Sequence, residues 1–164
     1  TATAVAARAS AIARPDVEAA KDLVSQGRFA EASSNLVSAL RTAPQDWDAR
    51  FLMAYVDLAR HDYAAADVLF TDLLTDRPND VSALLLHAAA LTATGDYGAA
   101  QKALDAVIRA NPRYYAGYYD MAFLLIEVNA TGDYRVARRY YEIGRAVGGP
   151  RDQLLESKLG LTKK

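Results

Sequence analysis

Chemistry would have to come from few residues in this chain. It has no cysteine and only two histidines, His61 and His87. The histidines lie far apart, without a His-x-x-x-His spacing and without a thiolate neighbour, so a metal site is not expected. The missing cysteines also remove disulfides and a thiol nucleophile. No Gly-rich phosphate loop, nucleophile elbow or paired-carboxylate motif stands in a suitable context. The residues thus predict no catalytic group, no cofactor and no metal. What remains is recognition by apolar and aromatic side chains, and its geometry depends on the elements that carry them.

Those elements follow from an internal period. Pro44, Pro78 and Pro112 recur at a step of 34 residues, and so do Ala20, Ala54, Ala88 and Ala122. Ala32, Ala66 and Ala100 keep the step, with Ala137 three residues late. Phe29, Tyr63, Tyr97 and Tyr134 share both the step and the slip. An alanine in the middle of each of two packed helices lets their axes approach closely. Gln26-Gly27-Arg28-Phe29 and Thr94-Gly95-Asp96-Tyr97 read as turns, with glycine suited to the left-handed position that ends a helix. The aromatic after each turn opens a second helix, and each proline closes the pair. Apolar residues between these marks keep helical spacing, as in Leu104, Val107 and Ile108.

With these residues the chain resembles the tetratricopeptide repeat family over four repeats, 13–46, 47–80, 81–114 and 115–148. The third is the best match, carrying Gly95, Asp96, Tyr97, Ala100 and Pro112. The second has His61 in place of the turn glycine. The fourth carries a three-residue insertion near Val128 to Thr131 and ends in Gly149-Pro150. The resemblance implies an all-α, right-handed α-solenoid of helix-turn-helix units. The ends need covers. Residues 149–164 are expected to form a C-terminal capping helix with a stripe of Leu154, Leu155 and Leu159. Residues 1–12 read as an Ala-rich arm or a second cap, with Val5, Ala9 and Ile12 on one face.

In this family the first helix of each pair lines an inner groove. Carrying that stripe over marks Val17 and Lys21, Phe51 and Tyr55, Leu85 and Ala89, and Tyr119 and Phe123. The resulting groove is apolar and aromatic, suited to an amphipathic helix or extended peptide of a partner protein. The alternative for the same side chains is packing, the role expected of Tyr114 and Tyr118. A family subgroup clamps C-terminal carboxylates with Lys, Asn and Arg. Its pattern falls here on Val17, Lys21, Leu52, Ser82 and Leu86, none of which fits. The repeat register puts His61 in a turn and His87 toward the helix-pair interior. Asp57 stands where Leu23, Leu91 and Leu125 stand elsewhere, so it either finds a local hydrogen-bond partner or opens to the groove.

Nineteen basic residues face 20 acidic ones, which argues against nucleic acid or an anionic membrane as partner. Residues 47–80 hold seven Asp against three Arg, while 149–164 is net basic through Arg151, Lys158, Lys163 and Lys164. That polarity suggests salt-sensitive self-association. No apolar run approaches the roughly 20 residues of a membrane span, so a soluble protein is expected, cytoplasmic or periplasmic, with a removed leader allowed. The expected function is a non-enzymatic protein-interaction scaffold. The alternatives are a self-assembling scaffold and an accessory or regulatory domain of a larger enzyme.

Overall fold

The computed structural model describes residues 2–129 and 132–161. The described residues form helices and connecting turns, without strands. The helices are α1 (Ala2–Ser25), α2 (Phe29–Thr42), α3 (Trp47–Ala59), α4 (Tyr63–Asp76), α5 (Val81–Thr94), α6 (Tyr97–Ala110), α7 (Tyr115–Val128), α8 (Arg135–Ala146) and α9 (Gln153–Lys158). The first eight pack as the pairs α1/α2, α3/α4, α5/α6 and α7/α8, which are the helix-turn-helix repeats expected from the 34-residue step. Phe29, Tyr63 and Tyr97 open α2, α4 and α6, and Tyr134 stands just before α8. The fourth-repeat insertion includes Ala130 and Thr131, which lie outside the described residues, as do Lys163 and Lys164.

The periodic alanines sit where close approach requires them. Ala20, Ala54, Ala88 and Ala122 are buried, and so are Ala32, Ala66, Ala100 and Ala137. A larger side chain at any of these positions would drive a helix pair apart. Aspartates start five of the helices. Asp46, Asp62, Asp80, Asp96 and Asp152 each accept a hydrogen bond from the backbone N–H three residues on, at 2.8–3.3 Å. Each such cap contributes about 1 kcal/mol. Gly95 ends α5 in the left-handed region, at φ +84°. His61 holds the equivalent turn at φ +64°, a conformation that costs a residue with a Cβ about 1–2 kcal/mol. Its Nδ1 lies 2.6 Å from the Tyr63 hydroxyl.

The chain divides into an N-terminal unit, Thr1–Pro78, and a C-terminal unit, Asn79–Lys164. In the N-terminal unit, Ala13, Val17, Leu36, Ala39 and Met53 form the core of α1, α2 and α3. Residues 2–12 are not detached from the first repeat. From Ala2 they belong to α1, which continues through Pro15 although proline supplies no N–H to the preceding turn. Of the expected apolar face, Ala9 packs on the core and lines a recess with Val5, whereas Val5 is still 71% and Ile12 62% exposed. Ala13 turns inward in their place.

In the C-terminal unit, α9 packs on α7 and is six residues long. Leu155 and Leu159 are fully buried among Tyr119, Ala122 and Tyr141. Leu154 departs from the expected stripe and is 62% exposed. Beside them the Tyr141 hydroxyl donates to Glu156 Oε1 at 2.6 Å, and Arg151 donates to both Glu156 oxygens at 3.1 and 2.7 Å. Arg151 first, then Tyr141, lowers the Glu156 pKa to about 2. A depressed carboxyl stabilises the fold fully above its unfolded value of about 4.3 and ceases to do so as pH falls toward 2. Amide protection in α9 is therefore expected to decline across that acid window, and Glu156→Gln to flatten the decline. Unchanged acid sensitivity in the variant would assign it to other carboxylates.

Candidate partner-binding trough

Within the C-terminal unit, α6 packs against both α5 and α7, and a trough of about 350 Å³ lies between those two helices. Leu85, Ala89, Thr92 and Ala93 of α5 form one wall, and Asp120, Phe123, Leu124 and Glu127 of α7 form the other. Leu104 of α6 contributes from below. Residues three and four apart on a helix share a face, so each wall is a single continuous stripe. The lining is mainly apolar, which favours an apolar guest through release of water.

Leu85, Ala89 and Phe123, three of the residues marked from the sequence, come together here. Tyr119 does not join them. It is 5% exposed, and its ring packs 5.4 Å from Tyr115 and 5.1 Å from Tyr141 between centroids. Its hydroxyl donates to the Pro150 carbonyl at 2.6 Å. Val17 is likewise a core residue of the N-terminal unit. Both leave the expected groove, because neighbouring helices already cover them. Tyr118 packs as expected, buried and donating to the Pro112 carbonyl at 3.0 Å.

In the N-terminal unit Lys21 is exposed and paired with Glu18 at 3.0 Å. Phe51 and Tyr55 are half-buried on α3. Phe51 stacks on Trp47 at 5.0 Å and meets Phe70 edge-on at 6.2 Å. Arg77 lies over Trp47, 4.1 Å from its ring centre. Asp57 is half-buried and forms no side-chain hydrogen bond. Burial, and next the Asp62 charge, raises its pKa, with Arg60 opposing. His87 is half-buried and His61 exposed. Among the described residues, no group of three or more His, Asp or Glu is arranged to hold a metal ion. No helix among them is long and apolar enough to cross a membrane.

The trough also contains what the sequence reading missed, the carboxylates Asp120 and Glu127. Asp120 retains access to water, yet the apolar walls around it displace enough solvent to raise its pKa to about 6. The signal lay in the repeat register, since Leu52 and Leu86 occupy the equivalent positions. Several charges of the acidic and the basic segment also have partners within their own unit. Asp62 and Asp80 cap helices, Asp48 pairs with Arg14, and Asp72 and Asp76 pair with Arg50. Toward the C-terminus, Arg151 pairs with Glu156, and Lys158 with Glu127.

Comparison with protein families decides the lineage. The family profile described as tetratricopeptide repeat matches residues 23–90 and 57–121, more than half of the chain. The chain belongs to the tetratricopeptide repeat family. Solved tetratricopeptide structures share its fold at low identity. A MamA fragment from Desulfovibrio magneticus RS-1 is 16% identical, with a TM-score of 0.77 over 82% of this chain and 75% of that one. The thermophilic TPR protein TTC0263 of Thermus thermophilus is 19% identical, with a TM-score of 0.71 over 90% and 79% of the two chains. A tetratricopeptide repeat protein from Parabacteroides merdae is 17% identical, with a TM-score of 0.70 over 90% of this chain and 60% of that one. No match emerged among curated protein sequences.

Proposed function

We propose that this tetratricopeptide protein is a non-enzymatic interaction scaffold, holding a peptide or helix of a partner protein in the trough between α5 and α7. The trough itself carries this reading. It is a mainly apolar recess of about 350 Å³ on helices whose backbones are fixed by packing, with Leu85 and Phe123 half-buried at its sides. Such side chains are preorganised and lose little further entropy when a guest covers them. An amphipathic helix would place its i, i+3 and i+4 anchors along the same stripe. Membership of a repeat family whose role is protein contact favours this reading over catalysis, although fold alone does not assign function.

The test uses the exposed alanines, which can be changed without entering the core. Photo-reactive residues placed at Ala89 or Ala93 are expected to crosslink a polypeptide from cell extract. One at Lys102, exposed on α6 outside the trough, is expected not to. Ala89→Arg fills the recess and should abolish the crosslink formed at Ala93 while leaving the helical content unchanged. Equal labelling from Lys102, or labelling indifferent to Ala89→Arg, would move the interaction to another face.

A further inference from the structure

Asp120 differs from the acids around it. Asp96 caps α6, Glu127 pairs with Lys158 at 3.3 Å, and Glu156 is bound by Tyr141 and Arg151. Asp120 has no side-chain donor, although it stands where Leu52 and Leu86 stand in other repeats. The structural need at that position would be met by leucine. Asp120 is exposed, so water solvates its carboxylate beside the apolar walls and no protein group claims it. The other charged groups do not supply a partner either. The α5 wall brings no titratable side chain into the trough, and α6 brings only Leu104. The one other acid on the α7 wall is Glu127, two helical turns or about 10 Å further along.

We propose that the trough selects a peptide carrying one lysine or arginine within an apolar stretch, the cation pairing with Asp120 and its apolar neighbours covering Leu85, Ala89 and Phe123. The inference rests on the scaffold reading above and adds the chemistry of the partner. Charge complementarity is its basis: a cation meets a carboxylate that no protein donor occupies, whereas an acidic peptide end would meet Asp120 and Glu127 with like charge. The apolar walls displace enough water to raise the Asp120 pKa to about 6, so a proton competes with the peptide cation in mild acid. Capture is strongest above that value and weakens as pH falls through it.

The full chain would be panned at about pH 7.5 against a phage-displayed library of random twelve-residue peptides. A selected peptide and its Lys→norleucine analogue would then be titrated by fluorescence anisotropy. The expected selection is a basic residue flanked by apolar ones. The analogue should bind about tenfold more weakly to the wild type, a difference of about 1.4 kcal/mol. Asp120→Asn should erase that difference, and so should lowering the pH to about 5. Because the substitution removes an unpaired charge, Asp120→Asn is expected to unfold no earlier than the wild type. Apolar peptides without a basic preference, still blocked by Ala89→Arg, would refute the charge selection and leave the trough as a docking site. Peptides that ignore Ala89→Arg, or no enrichment at all, would overturn both readings.

Discussion

Replacing Tyr119 with alanine is expected to cost about 3–5 kcal/mol, the range for truncating a large buried aromatic. The ring fills a slot that glycines make possible. A Cβ on Gly144 would lie 2.5 Å from the Tyr119 ring, and one on Gly149 would lie 2.5 Å from its hydroxyl. Neither glycine leaves room for another atom, so α7, α8 and the Gly149-Pro150 turn close directly around this side chain. Truncation would open a cavity in that slot and leave the Pro150 carbonyl without its donor. Tyr119→Phe keeps the ring and loses only the hydrogen bond, so about 1 kcal/mol is expected. Gly144→Val attacks the same slot from the other side and should also destabilise. Repeat arrays can unfold in parts, so hydrogen exchange on α8 and α9 is the suitable measurement beside denaturant melts. Loss of protection concentrated there, with α5 and α6 less affected, is the expected pattern. A Tyr119→Ala protein as stable as the wild type but impaired in peptide capture would return this residue to the binding surface.

Tyr119 also shows where reading by period succeeds and where it stops. The step of 34 placed the helix pairs, the turns and the buried alanines, because each requirement recurs with the repeat: a small residue at a close crossing, a left-handed turn, a break between pairs. It also placed Leu85 and Ala89 on one face of α5, and Phe123 facing them from α7. Phe51, Leu85 and Tyr119 share one register position, yet only Leu85 lines the trough. Phe51 is covered on one side by Trp47, and Tyr119 is enclosed by α8 and the chain beyond it. What encloses it was written in α8. Ala39, Leu73 and Val107 are all buried at the register position that holds Gly144 in the fourth repeat. A glycine opposite an enlarged aromatic is a volume exchange, visible only when two helices are read together. Asp120 was missed for a similar reason. A single stripe records which face a residue occupies, but not whether the facing helix offers it a partner. The Ala-rich start suggested an arm or cap ending at residue 12, whereas α1 runs from Ala2 through that point and through Pro15, as tertiary packing can override a local breaker.

The same comparison of registers isolates Arg50, where the second large effect is expected. Its equivalents, Leu84 and Tyr118, are buried, and Arg50 is buried too, at 6% exposure. Its Nη1 donates to Asp72 Oδ2 at 2.6 Å and its Nη2 to Asp76. The Nε has no acceptor. Burial disfavours the guanidinium charge, and the hydrogen bonds it donates to Asp76 and Asp72 more than offset it. The two carboxylates are themselves half-exposed, so the arrangement is asymmetric: the acids can do without the arginine, but the arginine cannot do without the acids. Asp72→Asn combined with Asp76→Asn strands a buried cation and is expected to cost about 3 kcal/mol. This is the low end of the range for breaking a buried pair, because water reaches its rim. Asp76 also ends α4, where the helix dipole disfavours an anion by about 0.3–1 kcal/mol, and that part is returned. Arg50→Leu restores the aliphatic residue of the third repeat, leaves both acids solvated, and should be neutral or stabilising. Denaturant melts of the three proteins decide the matter. Equal losses for the acid pair and for Arg50→Leu would mean that the ion pairs stabilise the fold outright, while the expected inequality makes them a repair of one buried charge.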